Sequence, residues 1–271
     1  MRKQTVIALY VLVLLVGFSC SKFRRIEKNP DWHVKYQAGL DYFAKKKYLK
    51  ASTLFEQILP VVRGLPEGEK VQFNQAYCQF NMSFFLLASE QFKTFFETYG
   101  RSSVAEEARY MYALSLYKAS PNFNLDQSSS IDAMAAMQEF LNRYPHSKFK
   151  DQAIEVIVAA QEKLENKGFA NAKLYFRMRY YKAAMVSFNN FRNNYPDSKY
   201  VEEAYYLTIL AGYKLALQSI YSKQNERYTE VVEVYKEFLE KYPQSTFLVD
   251  AEKLYADSLT KLTKTKKNNN S

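Results

Sequence analysis

The stretch "FLNRYPHSKF" at residues 140–149 decides the fold, because it recurs twice in related form, as "FRNNYPDSKY" at 191–200 and "FLEKYPQSTF" at 238–247. The shared form is F-x3-Y-P-x-S-x-[FY], with an alanine four residues after the last aromatic position. A weaker copy, with Gly in place of Pro, begins at Phe95. A catalytic site needs one set of groups, whereas a motif that recurs at wide spacing is typical of an array of structural repeats.

Each part of this motif has a mechanical role at a junction between two helices. Phe and Tyr, four residues apart, form an apolar stripe on the last turn of one helix. Pro or Gly ends that helix, and the Ser side chain caps the next one by accepting a hydrogen bond from a free backbone N–H. The alanine is small where two helix backbones come close. Each copy therefore predicts a helix–turn–helix corner.

The spacing of the copies predicts the architecture between the corners. Counted from their phenylalanines, the copies lie 45, 51 and 47 residues apart, which is enough for two helices of about five turns each. Apolar residues between the corners follow the helical period, and no strand-like alternation is present. In the first repeat, Gly39, Tyr42, Ala51 and Phe55 have the spacing of a tetratricopeptide repeat. The sequence predicts an all-α fold, a right-handed superhelix of about five such hairpins closed by a C-terminal helix near 246–264.

The N-terminus predicts export. Arg2 and Lys3 precede an apolar run over 6–18, and Cys20 follows it. Thirteen helical residues span about 20 Å, less than the roughly 30 Å hydrocarbon layer of a bilayer. The stretch "VGFSC" resembles a bacterial lipoprotein box, so we expect a covalent lipid on Cys20. An ordinary cleaved signal followed by a chance cysteine is the alternative.

This start divides the chain into four predicted parts. They are a lipoprotein signal peptide over 1–19, a lipidated flexible linker over 20–30, a tetratricopeptide-like solenoid over 31–264 and a disordered tail over 265–271. The formal net charge is +10, which suits nucleic acid, a membrane surface or an acidic protein. An exported lipoprotein does not meet nucleic acid. The linker cations Lys22, Arg24 and Arg25 face either anionic headgroups or only solvent.

No residues in the sequence predict catalysis or metal binding. The spacing motifs of metalloproteases, serine hydrolases, P-loop proteins and dithiol redox proteins are missing. His146 occupies a corner position that holds unrelated residues in the other copies, and Cys78 lies on an aromatic helical face as an inert buried thiol. Carboxylates, including those of the "EEA" segments, are predicted to be solvated surface. We expect no enzyme and no cofactor apart from the covalent lipid on Cys20.

Together these features resemble the BamD-type lipoproteins of the outer-membrane β-barrel assembly machinery. The segment "LYFRMRYYKAAMVSFNNFRNNYPDSKYVEEAYYL" at 174–207 is the most specific part of the resemblance. It implies a lipid-anchored scaffold on the periplasmic face of the outer membrane that docks the periplasmic domain of the β-barrel insertase. It also implies contact with unfolded outer-membrane protein precursors and with other lipoproteins of the complex.

A second class of function stays open at this point. A periplasmic tetratricopeptide adaptor that coordinates cell-wall synthesis or envelope constriction shares the same corners. Such adaptors usually carry an N-terminal coiled coil, and no heptads occur between Cys20 and Asp31. The sequence therefore favours the assembly scaffold.

Two candidate binding surfaces follow from the repeat pattern and the resemblance. We expect peptide binding in the N-terminal repeats, about 31–100, and partner docking in the C-terminal repeats, about 102–264. The peptide groove candidates, expected to take the terminal, aromatic-containing segment of a precursor, are His33, Tyr36, Leu40 and Phe43. The alternative is that their aromatic rings only pack against the next helix.

The docking surface is predicted in the fourth repeat, where seven basic residues stand against one acidic residue between 166 and 199. Arginine with interleaved aromatic residues is also a composition enriched at protein interfaces. The candidates for docking the insertase are Lys173, Arg177, Arg179 and Lys182. The alternative is a basic face that is merely soluble and unpaired.

Overall fold

The computed structural model describes residues 22–269 and contains twelve α-helices and no strand in that range. The predicted signal peptide and Cys20 lie outside the described residues. The helices are α1 over 22–27, α2 Trp32–Ala44, α3 Tyr48–Val62, α4 Pro66–Asn81, α5 Phe85–Thr98, α6 Ala105–Ala119, α7 Ser128–Arg143, α8 Lys150–Arg177, α9 Tyr181–Asn194, α10 Val201–Leu217, α11 Tyr221–Lys241 and α12 Leu248–Asn269.

These helices confirm the predicted all-α hairpin array. The five hairpins are α2/α3, α4/α5, α6/α7, α8/α9 and α10/α11, and α12 packs on α10 and α11. The tetratricopeptide spacing of the first hairpin also has the predicted physical cause. Gly39 is buried, and a Cβ atom added to it would lie 2.6 Å from the ring of the buried Phe55. Only glycine allows α2 and α3 to approach this closely around that ring.

The four copies of the motif form the predicted corners. In each corner the tyrosine N–H donates to the carbonyl of the phenylalanine four residues earlier, at 2.7–2.9 Å, and this bond ends the helix. The serine Oγ accepts a hydrogen bond from the backbone N–H two residues later, at 3.0–3.4 Å. The motif alanines are completely buried: Ala108, Ala153, Ala204 and Ala251.

Three of these four serines make a second contact, which the sequence does not predict. Their hydroxyls donate to glutamates near the start of the preceding helix of the same orientation, so each bond joins two neighbouring repeats. The pairs are Ser102 with Glu69 and Ser147 with Glu106, both at 2.5 Å, and Ser245 with Glu202. The prediction that the "EEA" carboxylates are solvated surface is therefore wrong, because two of these acceptors are the first glutamates of those segments.

Three turns within hairpins share another backbone geometry. Lys46, Ser83 and Arg179 have φ of +56°, +65° and +62°, in the left-handed region that non-glycine residues seldom adopt. In each turn the left-handed residue donates its N–H to the carbonyl three residues back, and the next residue donates to the carbonyl five residues before it. This pattern closes the helix by the Schellman arrangement. These turns join the two helices of a hairpin, at the helix ends opposite the corners.

Packing divides the chain into two compact units. One extends from the start of the described chain to Pro121 and includes Asp126–Ala160, and the other comprises Asn122–Leu125 and the chain from Gln161 onward. Each unit has its own aromatic core. The expected division of binding roles between repeats 31–100 and 102–264 stays a prediction, and the helices on its two sides, α5 and α6, pack closely on each other.

Both ends of the described chain are helical, at positions where the sequence predicts a flexible linker and a disordered tail. Residues 22–27 form α1 where a flexible linker is expected, since the ring of Phe23 meets that of Tyr42 edge-on with centroids 5.7 Å apart. α12 continues to Asn269, inside the tail predicted to be disordered, and no Pro or Gly interrupts it. The last two residues lie outside the described range.

Candidate binding surfaces

The predicted peptide-binding face begins at the N-terminus of α2, where hydrogen bonds fix the first residues. Asp31 caps α2 by accepting the backbone N–H of His33 at 2.9 Å, and its carboxylate also lies 3.0 Å from His33 Nδ1. The backbone hydrogen bond holds the pKa of Asp31 below its usual range. The exposed His33 ring stacks on Trp32 with centroids 3.7 Å apart. His33 thus lies at the rim of the face and not in its floor.

The other three candidates on α2 are half-buried and form one stripe. Tyr36, Leu40 and Phe43 pack against the core of the first two hairpins, and Phe43 meets Tyr48 edge-on at 5.8 Å. Burial raises the pKa of Tyr36, and the carboxylate of Glu67 on α4 raises it further. Their half-burial shows that these side chains pack on the core, and their use as a peptide groove stays a prediction.

The predicted docking face surrounds the turn between α8 and α9. Arg177, Arg179 and Lys182 are exposed, and none of them forms an ion pair with another described residue. Large apolar side chains accompany these cations at 42–58% exposure: Leu174, Tyr175, Met178, Tyr180 and Val186. An open concavity of about 680 Å³ lies among them, with Arg179 and Lys182 at its edge. The face therefore combines cations with apolar area that is not covered.

Lys173 differs from the other three docking candidates. Its ammonium lies 2.8 Å from the carboxylate of Glu203 on α10 and 5.2 Å from the centroid of the Phe169 ring. Lys173 and Arg177 lie four residues apart on α8, where like charges repel each other unless an acidic group is close. The structure supplies that acid for Lys173 within the chain, so Lys173 connects α8 to α10 and is less available to a partner.

Arg192 is a further basic residue near this face, and it is not among the four residues predicted from the sequence. Its guanidinium lies 3.7 Å from the centroid of the Tyr205 ring, and Nη2 donates to Asn189 Oδ1 at 3.0 Å. Nε and Nη1 are buried without a hydrogen-bond partner, and burial lowers the pKa of Arg192. Arg192 lines two concavities of about 320 and 470 Å³, the first of which also includes Lys182. Nothing in the sequence distinguishes Arg192 from the other basic residues around it, because its burial depends on α10 and α11.

Two kinds of reactive site, a metal centre and a reactive thiol, can be checked in the described residues. No group of three or more His, Cys, Asp or Glu side chains between 22 and 264 is arranged to hold a metal ion. Cys78 is completely buried, and burial raises the pKa of its thiol to about 12, so the reactive thiolate is suppressed. Within the described range, none of the helices has the length and apolar character needed to cross a bilayer.

Comparison with known proteins assigns the chain to a family. The sequence matches the YfiO family, described as outer membrane lipoprotein, over residues 29–226 and again over 172–265. Together the two matches extend from before α2 into α12. The chain belongs to the YfiO family.

One similar protein has a name that states its role. The outer membrane protein assembly factor BamD of Rickettsia prowazekii (strain Madrid E) is 24% identical over 225 residues, which are 83% of this chain and 88% of the relative. The resemblance to BamD-type lipoproteins, stated from the sequence, is confirmed. This YfiO family member is associated with the outer membrane.

Proposed function

We propose that this YfiO family member is a non-enzymatic scaffold for the assembly of outer membrane proteins. The observation that carries the proposal is the family match over all five hairpins, together with the name of the BamD relative. An array of hairpins with exposed side chains on separate faces suits the binding of several proteins at once.

The docking partner in this proposal is the periplasmic domain of the β-barrel insertase. The α8–α9 face supports the assignment because exposed arginines beside exposed aromatic rings are typical of interface centres. Arg177, Arg179 and Lys182, all exposed, supply the charge. An insertase surface with carboxylates and an apolar side chain fits this face. Lys173 serves mainly to hold α8 to α10.

The α2 face is the proposed receiver of barrel precursors. Tyr36, Leu40 and Phe43 present an apolar stripe for the terminal, aromatic-containing segment of a precursor, with His33 at its rim. Covalent lipid on Cys20 holds the scaffold at the periplasmic face of the outer membrane, where other lipoproteins of the complex join it.

Crosslinking in cells tests the function as a whole. Mild crosslinking followed by mass spectrometry of the proteins captured with this chain should recover the β-barrel insertase and outer membrane protein precursors. An unrelated outer membrane lipoprotein of similar abundance is the control for chance capture. Recovery of cell-wall synthesis proteins without the insertase would instead favour the adaptor function and contradict the scaffold.

Substituting leucine for both aromatic rings of the α2 face should weaken precursor binding at least about tenfold, because two contact rings are lost while most apolar volume remains. The variant Tyr36→Leu/Phe43→Leu is measured by titrating a labelled terminal peptide of a barrel precursor against the full chain. Phe73→Leu/Tyr112→Leu, which changes two half-buried rings elsewhere in the same unit, is the matched control. Unchanged affinity in a variant with intact helical circular dichroism removes the α2 face from the binding site.

A further inference from the structure

The first unit has an edge where cations and uncovered apolar side chains meet. The turn between α2 and α3 carries three consecutive exposed lysines, Lys45–Lys47, and then Leu49, which is 70% exposed. The turn between α4 and α5 presents Phe84, Leu86 and Leu87 at 57%, 61% and 49% exposure. Successive helices run antiparallel and α2 packs on α4, so the two turns lie at the same end of their hairpins.

α1 adds to the positive charge of this edge. Lys22 and Ile26 of α1 line a concavity of about 240 Å³ together with Lys45 and Lys47 of the turn. The ammonium of Lys50 lies 5.3 Å from the ring centroid of Phe23. Between residues 22 and 50 the chain has nine basic and three acidic residues. Cations held this close repel each other, and an anionic surface brought against them relieves that repulsion.

The position of α1 also fixes how near this edge lies to the proposed anchor. Only two peptide units separate Lys22 from Cys20, and an extended chain of that length spans at most about 7 Å. If Cys20 carries the lipid, as the proposed function requires, Lys22 lies within about that distance of the attachment point. The lysines that share a concavity with Lys22 are then next to the lipid headgroups.

We propose that this edge, which we call the membrane edge, rests on an anionic phospholipid surface. The membrane edge consists of Lys22, Arg24, Arg25, Lys45, Lys46, Lys47, Leu49, Phe84, Leu86 and Leu87. Its cations contact lipid phosphates, and its exposed Phe and Leu side chains enter the boundary between headgroups and acyl chains. The contact orients the first unit on the membrane, which a lipid anchor on a single residue cannot do. An acidic protein segment is a different occupant, which the nearness of the anchor disfavours.

A fluorescent probe at the membrane edge tests the contact. An environment-sensitive dye is attached to a Leu86→Cys variant of the full chain, since the buried Cys78 thiol does not compete for the label. The protein is reconstituted into vesicles of phosphatidylcholine alone, or of phosphatidylcholine and phosphatidylglycerol in equal amounts. We expect the dye emission to shift to shorter wavelength only in the anionic vesicles, and the shift to disappear at high salt.

Charge variants establish which cations carry the contact. Lys45→Glu/Lys47→Glu should abolish the shift, and Lys45→Gln/Lys47→Gln should reduce it without introducing new charge. Lys236→Glu/Lys264→Glu, the same change at exposed lysines of the other unit, should leave the shift intact. An equal shift in both kinds of vesicle, or a shift that appears only when insertase is added, overturns the membrane edge.

The anchor is tested separately on the same preparation. The mass of the N-terminal fragment reports whether Cys20 is lipidated. A lipidated chain whose dye does not respond overturns the membrane edge alone and leaves the proposed function standing. An unlipidated Cys20 refutes the anchor in the proposed function and also takes the dye, so the dye response of the Cys20→Ser form of the Leu86→Cys variant then supports or overturns the membrane edge on its own.

Discussion

Replacing Gly68 with alanine should lower the free energy of unfolding of the first unit by about 2 kcal/mol. The added Cβ atom would lie 2.4 Å from the carbonyl oxygen of Val62 and 3.4 Å from the hydroxyl of Tyr99. The Val62 carbonyl is backbone and is held in place, because it accepts the N–H of Leu65 at 2.9 Å. Overpacking against such a group costs about 1–3 kcal/mol or more, and the higher helix propensity of alanine returns about 1 kcal/mol of that.

Urea unfolding of the full chain, followed by tryptophan fluorescence, measures this change. Trp32 is the single tryptophan of the chain and lies in the first unit, so its signal reports that unit. Gly100→Ala is the matched control in the same unit, since Gly100 has no positive φ and occupies the position that holds proline in the other three corners. We expect Gly100→Ala to cost much less than Gly68→Ala, because its added Cβ atom would lie 3.2 Å from the nearest atom, the Phe96 carbonyl oxygen. Equal unfolding midpoints for the two variants would contradict the packing argument.

Reversing the charge of two arginines on the α8–α9 face should weaken binding of the insertase at least about tenfold, which corresponds to 1.4 kcal/mol. In the variant Arg177→Glu/Arg179→Glu, two exposed cations become anions opposite the carboxylates that the proposed partner surface presents. Repulsion then replaces attraction at both positions, and like charges across an interface are strongly unfavourable. The dissociation constant is measured with the purified periplasmic domain of the insertase at low salt and again at high salt.

The arginine pair has a matched control in the first unit. Arg101→Glu/Arg143→Glu makes the same change in net charge at two exposed arginines, so it separates a local contact from a general effect of charge. The two double variants should differ most at low salt, because exposed charges are screened at high salt. If both weaken binding equally, or neither does, the insertase docks on another face of the array.

The corners of the fold could be predicted from sequence because each depends on residues within a few positions of each other. The Tyr-Pro-x-Ser segment ends one helix through a backbone hydrogen bond and caps the next through the serine hydroxyl. Both bonds join residues only two to four positions apart. The buried motif alanines, such as Ala153, were predictable for the same reason, since a small residue at fixed spacing marks a close helix contact. Local chemistry repeated along the chain was therefore sufficient for the architecture.

The candidate site was less predictable because its properties depend on residues far apart in sequence. The partner of Lys173 is Glu203, thirty positions away on another helix. Arg192 is partly buried because Tyr205, on another helix, packs against its guanidinium. The acceptor role of Glu106 likewise depends on Ser147. Charge patterns in the sequence located the basic face, and only packing decided which cations stay available.

Helix α8 determines where the chain resists cleavage. Proteases need an extended segment to attack, and the border between the two compact units falls at residues 160 and 161, inside the helix Lys150–Arg177. A cut there requires several turns of that helix to melt first. Limited digestion should therefore nick the loops before it separates the halves, and a chain truncated at this border would end inside a severed helix.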